Sequence, residues 1–318
     1  NHVDTYNNLG NIYRELGHNE KAVSFYQKAI QINPSFESAH YNLGTIYKKL
    51  GKYQEAINSF QKINSTSSRA QLLECTYFIR DLKLYQKKLK ELADQDPLNL
   101  RVAAMAAYVS KKENIKNIYP FCKNPLKLIL IKNIRNDLTS EDQFSEILLQ
   151  KLRKLKAIWE PRTTTTTGGY QTYGNLFNSS DKTILKLKEE IKKQIIIYKK
   201  TFKSSEDYFI KKWPSVNDLQ AWYVRLPKQG YQKAHLHPPG WLSGVFYIKV
   251  PKLLKKNEGG IKFQFYGYDY PEDENLPKFI YSPKDLDLVL FPSSLFHETI
   301  PFYTDDERHC IAFDLLPI

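Results

Sequence analysis

The sequence predicts an α+β protein in which an all-α region of helical repeats precedes a domain of short antiparallel strands. A pattern of small and aromatic residues recurs near the amino terminus with a period of about 34 residues, so that Gly10 and Ala22 return as Gly44 and Ala56. Short apolar runs separated by glycine, proline and charged residues fill the last third of the chain. With 318 residues, the chain is long enough for two domains.

The composition excludes a membrane-spanning protein. Hydrophobic residues make up 42% of the chain, the mean hydropathy is −0.53, and no apolar run approaches the roughly 18 residues that would suggest a membrane span. Residue 1 is Asn with no secretory pattern after it, so we expect the natural chain to extend further at its amino end. Cys75, Cys122 and Cys310 are odd in number and far apart, which predicts no disulfide framework and a cytoplasmic location.

The positive charge of the chain has two interpretations. A formal charge of +13 and a pI near 9.3 are compatible with binding to nucleic acid or to an anionic surface. The lysines, however, are spread along stretches with helical periodicity, as between Lys186 and Lys200, and no nucleic-acid-binding motif accompanies them. A solvated helix face is therefore favoured, and we predict no nucleic-acid and no membrane partner.

The amino-terminal repeat consists of small residues at close helix contacts and large residues around them. Gly17 and Gly51 mark the turn between the two helices of each copy. The recurring positions are Tyr6, Leu9, Gly10, Tyr13, Ala22, Tyr26, Ala29 and Pro34, followed by His40, Leu43, Gly44, Tyr47, Ala56, Phe60 and Ile63. This pattern resembles the tetratricopeptide repeat family, with two clear copies over residues 3–64.

Residues 68–117 keep helical periodicity but lose the small residues, which predicts one or two degenerate helical pairs that cap the repeats. We therefore predict a helical repeat domain over residues 1–118. The concave surface of such a domain has two functional interpretations, a binding site for a peptide or a surface for dimerisation or spacing.

The second predicted domain, residues 119–318, opens at a proline-containing stretch. Residues 126–134 are rich in branched residues and predict a strand, and residues 141–155 predict a helix. Asp181 can cap a long amphipathic helix that ends at Phe202. The remaining pattern is one of short strands, as in a sandwich or barrel, predicted at residues 219–226, 242–250, 261–266, 286–291 and 309–315.

Histidines in this strand-rich region form a candidate metal site. His235 and His237 are two residues apart on an extended segment, so both side chains point to the same side and can bind one ion. His297 follows another predicted strand, and Arg308 stands at the entry to the last strand. We expect all four side chains to face one end of the barrel interior.

An ordered series of motifs runs through the same region. In chain order these are Gly169-Tyr170-Gln171-Thr172-Tyr173, Ala221-Trp222, Leu226-Pro227, Gly230, His235-Leu236-His237-Pro238, residues 242–247, residues 290–298, and Arg308. The series resembles the 2-oxoglutarate and Fe(II)-dependent oxygenase superfamily, and within it the oxygenases with an H-x-H-P pattern. The resemblance implies a double-stranded β-helix, or jelly-roll, with flanking helices.

The resemblance also implies roles for individual residues. His235 and His297 would bind Fe(II), and His237 stands where most relatives have a carboxylate. His237 is then either a third ligand or a residue that hydrogen bonds to a neighbour and leaves a two-histidine site completed by water. Arg308 would pair with the distal carboxylate of the co-substrate 2-oxoglutarate, and Tyr247 would hydrogen bond to the same carboxylate.

Several nearby residues depart from the pattern or have a second interpretation. Cys310 replaces the usual small residue two positions after the arginine, and Leu286 replaces a glycine, which should affect only a turn. His309 points to the opposite face of its strand and is expected to be structural. Trp222 and Trp241 fit either the substrate cleft or the core.

These observations support three functional hypotheses. The first is a 2-oxoglutarate-dependent dioxygenase, a hydroxylase whose repeats recruit a peptide or protein substrate; this follows the architecture of relatives that join such repeats to such a barrel. The second is a non-catalytic tetratricopeptide scaffold with a degenerate jelly-roll domain. The third, a three-histidine dioxygenase that uses no oxo acid, is disfavoured by Arg308. The sequence predicts neither the substrate nor the oligomeric state.

Overall fold

The computed structural model describes residues 2–138, 143–162, 164–252 and 255–318. The chain divides into two compact units, Asn1–Ala106 and Ala107–Ile318. The domain boundary predicted between residues 118 and 119 stays a prediction. Within the described ranges, no helix has both the length and the hydropathy needed to cross a bilayer.

The first unit is built from helices. These are α1 (His2–Glu15), α2 (Asn19–Ile32), α3 (Glu37–Lys49), α4 (Tyr53–Phe60), α5 (Thr66–Phe78), α6 (Leu82–Gln95) and the first part of α7 (Leu100–Lys112). Gly17 and Gly51 lie in the turns that follow α1 and α3, with φ of +80° and +73°. Glycine adopts this left-handed conformation without strain, so the predicted turns are confirmed.

Close helix contacts depend on the small residues of the repeat. A Cβ atom added to Gly10 would lie 2.4 Å from the Tyr26 ring, and one added to Gly44 would lie 2.8 Å from the Phe60 ring. Tyr26 and Phe60 are buried, as are Ala22 and Ala56. The two copies therefore use the same glycine-to-aromatic contact, as the repeat pattern predicts.

We expect Gly44→Val to lower the free energy of unfolding of the first unit by about 1–3 kcal/mol, because the added methyl groups overlap the buried Phe60 ring. Urea denaturation followed by circular dichroism measures this change. Lys49→Val is the control, because Lys49 is exposed on the same helix and valine is introduced there without overlapping a buried ring. Equal midpoints for the two variants would contradict the packing role of Gly44.

The helices after the clear repeats are joined by buried charges. The carboxylate of Glu74 on α5 accepts hydrogen bonds from Lys48 on α3 and, at 2.6 Å, from Nε of Arg101 on α7. Burial acts to raise the pKa of Glu74, but the charges of Arg101 and Lys48 outweigh it and hold the pKa below its usual value. Glu74 therefore remains ionised and ties three helices together.

Helices flank the sheets of the second unit. They are α8 (Arg135–Leu138), α9 (Phe144–Leu152), α10 (Lys182–Thr201) and α11 (Tyr208–Lys211), with single 3-10 turns at Pro125–Leu128 and Leu176–Asn178. The carboxylate of Asp181 accepts hydrogen bonds from the N–H groups of Thr183 and Ile184, at 2.8 and 3.3 Å. The predicted cap and the helix that follows it are confirmed.

The strands of the second unit are short and antiparallel. They are β1 (Leu130–Asn133), β2 (Ala157–Trp159), β3 (Thr166–Thr167), β4 (Tyr170–Thr172), β5 (Asn217–Leu226), β6 (Tyr231–Gln232), β7 (Leu242–Lys249), β8 (Ile261–Gln264), β9 (Phe279–Tyr281), β10 (Asp287–Pro292), β11 (Phe296–Thr299) and β12 (Arg308–Pro317). A larger sheet has the order β1-β10-β7-β12-β5-β4-β2, a smaller sheet has the order β11-β8-β9, and β3 pairs with β6.

The connectivity of the two main sheets is that of a jelly-roll. The segment at His235 pairs with His297 and thereby extends the smaller sheet beyond β11. Eight extended segments then form the two facing sheets. The larger sheet contains the order β5-β12-β7-β10, and the smaller sheet has the order His235 segment-β11-β8-β9. The predicted α+β fold with a double-stranded β-helix is confirmed.

The core of the second unit lies where its two main sheets contribute to one cluster. Val224 and Phe291 come from the larger sheet and Phe263 from the smaller one, and all three are buried. The rings of Phe263 and Phe291 meet edge to face at 4.9 Å. Phe291 of this cluster also lines the pocket that contains the predicted histidines.

Three details of the predicted elements differ in the structure. The strand expected at residues 126–134 is a 3-10 turn followed by β1, because Pro125 starts a helical turn. The helix expected at residues 141–155 is α9, and residues 141–142 lie outside the described residues. The strand expected from residue 286 begins at Asp287, because Leu286 occupies a left-handed turn with φ of +67°.

Candidate metal centre

The three predicted histidines come together on adjacent extended segments. The main chains of His235 and His297 exchange two hydrogen bonds of 3.0 Å, and the N–H of His237 donates to the carbonyl of Ser293 at 3.1 Å. The ring centroids are 4.3–5.1 Å apart. One nitrogen from each ring lies within 4.8 Å of the other two, a spacing that one metal ion can bridge.

Hydrogen bonds fix the tautomer of each histidine. Nδ1 of His235 contacts the carbonyl of Lys233 at 2.6 Å, and Nδ1 of His297 contacts the carbonyl of Leu295 at 3.1 Å. A carbonyl only accepts, so each Nδ1 carries the proton and each Nε2 keeps a lone pair. Nε2 of His237 is buried and has no hydrogen-bond partner among the described residues.

The protonation state of the cluster suits a metal ion. Burial, and then the neighbouring His237, lowers the pKa of His235 to about 3. Burial, followed by the charges of His235 and His237, also places the pKa of His297 well below its usual value. These two imidazoles are therefore neutral at physiological pH, and the neutral ring is the form that binds a metal.

A carboxylate that the sequence analysis missed orients His237. Oδ2 of Asp314 on β12 lies 2.7 Å from Nδ1 of His237, and Oδ1 accepts a hydrogen bond from Oγ of Ser243 at 2.6 Å. Asp314 is six positions after Arg308, and because side chains alternate between the two faces of a strand, an even spacing places both on one face of β12. That periodicity is the signal by which the sequence could have revealed Asp314.

Arg308 lies in the same enclosed pocket as the histidines. Arg308 is only 1% exposed, its guanidinium carbon is 4.8 Å from the centroid of the Tyr247 ring, and one terminal nitrogen is 3.3 Å from Sγ of Cys310. Nε of Arg308 and the hydroxyl of Tyr247 are buried without a hydrogen-bond partner in the part of the chain that the structure describes. Burial raises the pKa of Tyr247 to about 12, so its hydroxyl keeps its proton.

A buried guanidinium without a counter-ion is energetically costly. No carboxylate of the described residues forms an ion pair with Arg308. Burying such a charge unpaired costs several kcal/mol, and a charge-assisted hydrogen bond from a bound anion would offset that cost. The guanidinium of Arg308 is therefore suited to pairing with an anion that has planar oxygen geometry.

Trp222 and Trp241, which the sequence places either in the substrate cleft or in the core, lie in different environments. Trp222 lines both the enclosed pocket and a wider outer cleft, and its ring stacks on His237 with centroids 5.6 Å apart. Trp241 is buried, and its Nε1–H donates to the carbonyl of Phe209 at 2.9 Å. Trp222 thus belongs to the cleft and Trp241 to the core.

His297 and His309 lie on different strands, β11 and β12. His297 lies inside β11 rather than after a strand, because residues 293–295 form a turn between β10 and β11. His309 is on the opposite face of β12, where Nδ1 lies 2.6 Å from the hydroxyl of Tyr223. His309 therefore takes no part in the cluster.

Comparisons with known proteins agree with this geometry. Residues 220–314, which include the three histidines and Arg308, match a family model described as "Putative 2OG-Fe(II) oxygenase". Residues 10–51 and 37–67 match models described as TPR repeat and tetratricopeptide repeat. The chain is thus similar to tetratricopeptide repeats over residues 10–67 and to 2-oxoglutarate/Fe(II) oxygenases over residues 220–314. No curated protein matches the chain.

The solved structures that are similar to parts of the chain are distant from it in sequence. A prolyl-4-hydroxylase from Pseudomonas putida is 13% identical over 60% of this chain and 92% of that one, with a TM-score of 0.42. HygX from Streptomyces hygroscopicus, solved with nickel and 2-oxoglutarate bound, is 12% identical over 59% and 82%, with a TM-score of 0.43. YrrB, a TPR protein with an unusual peptide-binding site, is 21% identical over 34% of this chain and 58% of that one, with a TM-score of 0.30.

Proposed function

We propose that this protein is a 2-oxoglutarate- and Fe(II)-dependent dioxygenase that hydroxylates a peptide or protein substrate recruited by its helical repeats. The observation that carries the proposal is that one enclosed pocket is lined by three converging histidines and by a buried guanidinium that forms no ion pair within the described ranges. A metal ion and a dicarboxylate would satisfy these two sets of groups together.

The donor atoms of the cluster fit Fe(II). His235, His237 and His297 would hold the ion through Nε2, because each Nδ1 is already engaged. The orphaned Nε2 of His237 favours the three-ligand interpretation over a two-histidine site. Three protein ligands leave positions open for the co-substrate and dioxygen, and bound Fe(II) would supply the activation of dioxygen.

The other end of the pocket fits the distal carboxylate of 2-oxoglutarate. Arg308 would bind it through a planar, bidentate pair of N–H groups, and the hydroxyl of Tyr247 would donate a further hydrogen bond. Burial of both groups excludes water from this end and strengthens the interaction. Chelation of the metal by the 2-oxo acid end would then place the co-substrate in one orientation.

Anaerobic spectroscopy tests the proposed function directly. We expect a weak visible charge-transfer band when 2-oxoglutarate is added to the Fe(II)-loaded protein, and succinate release once oxygen is admitted. If neither is observed, the repeats form a non-catalytic scaffold with a degenerate jelly-roll. Turnover that does not need 2-oxoglutarate would instead indicate a three-histidine dioxygenase without an oxo acid.

We expect Tyr247→Phe to weaken 2-oxoglutarate binding by about tenfold, the effect of losing one hydrogen bond to a charged group. The free energy of unfolding of the unliganded protein should fall by no more than about 1 kcal/mol, the net contribution of a single hydrogen bond. Titration of the charge-transfer band measures the affinity. Tyr223→Phe is the control, since Tyr223 contacts His309 on the opposite face of β12; equal losses in both variants would count against the assignment.

The peptide or protein substrate is proposed from the repeats and from the outer cleft. The cleft is lined by Trp222 and Tyr268 and by polar groups such as Gln171 and Gln232, which can contact a peptide main chain. Capture with the full chain, followed by mass spectrometry for added oxygen, would identify the partner. Oxidation should occur with the parent protein and not with His297→Ala.

The cytoplasmic location also remains a proposal. Cys75, Cys122 and Cys310 are buried thiols, which is compatible with a reducing compartment.

A further inference from the structure

Among the residues that the structure describes, the three-histidine cluster includes no carboxylate, but the carboxylate of Asp314 lies one hydrogen bond away from it. Three imidazoles bring no charge to a divalent metal ion, and Arg308 adds a positive charge to the same pocket. Asp314 contacts Nδ1 of His237 at 2.7 Å, and the two side chains are 10% and 11% exposed. A carboxylate at this depth interacts strongly with the imidazole that it contacts.

The carboxylate of Asp314 is itself held in place. Ser243 donates to Oδ1 of Asp314 at 2.6 Å and lies 2.8 Å from Oγ of Ser293, and all these groups are buried. Trp222 stacks on the His237 ring with an interplanar angle of 22°. The direction of Nε2 is thus set by a hydrogen bond at one edge of the ring and by packing on its face.

A second carboxylate near the pocket provides a comparison. Glu298 also lines the enclosed pocket, but its carboxylate pairs with Lys262 at 2.9 Å. Its charge is therefore already balanced, whereas the charge of Asp314 is directed to His237.

We propose that Asp314 is a positioning residue that supplies, through His237, the negative charge that the three-histidine metal site lacks. The inference rests on the proposed function, because it requires His237 to be a metal ligand. Asp314 fixes the Nδ1–H tautomer, aims Nε2 into the cluster and makes the imidazole a stronger electron donor. An acidic residue thus acts on the metal without occupying a coordination position.

Metal titration of the full chain tests this role without measuring turnover. The probe is Co(II), with affinity measured by calorimetry and the ligand geometry followed by its visible absorption bands. Asp314→Asn keeps an acceptor for His237 and removes the charge, while Asp314→Ala removes both. Glu298→Gln is the matched control, because it removes one negative charge beside His297 without touching a histidine nitrogen. Circular dichroism establishes that each variant is folded.

We expect about a tenfold loss of Co(II) affinity for Asp314→Asn and up to about 100-fold for Asp314→Ala, with shifted absorption bands. Glu298→Gln should bind as the parent does. Parent-like affinity and bands in Asp314→Asn, while His237→Ala loses the metal, would overturn the charge role and leave the proposed function intact. Equal losses in Asp314→Asn and Glu298→Gln would also overturn it, because general pocket charge would then explain both. Absence of Co(II) binding by the parent would overturn the metal site itself.

Discussion

Replacing His297 with alanine should abolish Fe(II) binding, with a loss of affinity of more than about 100-fold, because a direct ligand contributes more than the outer partners of a metal site. The main-chain hydrogen bonds between residues 235 and 297 do not involve the imidazole and should persist. The ring also packs edge to face on Phe291 at 4.6 Å, so a modest loss of stability is expected as well. Metal content after equilibrium dialysis, measured with the fold monitored by circular dichroism, checks the prediction.

The control for this variant is His309→Gln. His309 is as deeply buried as His297 but contacts Tyr223 on the opposite face of β12. Its replacement should lower stability without lowering metal content. Unchanged iron content in His297→Ala would mean that the histidine cluster is not the metal site.

Replacing Arg308 with methionine should have opposite effects on the free and the ligand-bound protein. In the free protein, the substitution removes a buried charge that has no ion-pair partner among the described residues. Replacing buried charges by apolar groups of similar volume is often stabilising by about 1–4 kcal/mol, so we expect the urea midpoint of the free protein to rise. Affinity for 2-oxoglutarate should fall by more than about 100-fold, because its distal carboxylate would be left unpaired.

The two effects can be measured in one set of denaturation curves. In the presence of Zn(II), 2-oxoglutarate at about 100 times its dissociation constant should stabilise the parent by about 2.7 kcal/mol. The same addition should give no such shift in Arg308→Met. Arg225→Met is the control: the Arg225 guanidinium stacks on Tyr170 at 4.0 Å but is partly exposed and lies 3.7 Å from Glu307. Its loss should lower stability slightly and leave the ligand-induced shift unchanged. A lower midpoint for free Arg308→Met would show that the contacts of the guanidinium with Tyr247 and Cys310 outweigh the cost of burying its charge.

The sequence predicted the long strands but missed several of the shortest ones, for a physical reason. Strands such as β5 and β7 contain enough residues for their apolar pattern to be recognised. Strands β3 and β6 have two residues each, and β9 and β11 have three and four, too few to establish a period. These short strands owe their conformation to pairing with distant segments, which no local pattern reports.

The sequence predicted the three histidines of the candidate site but not Asp314, the carboxylate that contacts one of them. His235 and His237 share a face through their local spacing, whereas their approach to His297 depends on pairing across the smaller sheet. Asp314 escaped notice because its partner His237 is distant in sequence and because a single carboxylate in an apolar strand resembles an edge residue. Leu286, which replaces a glycine of the family pattern, was noticed in the sequence but lies in a turn and leaves the site intact.

The reciprocal hydrogen bonds between the main chains of His235 and His297 have a consequence for the kinetics of metal uptake. Because these amides pair with each other, two of the three ligands are brought together when the sheet folds. The chain entropy of joining segments some sixty residues apart is then lost during folding rather than during ion capture. Hydrogen exchange should accordingly show these two amides protected before any ion is added, and the rate of uptake should be limited by dehydration of the ion.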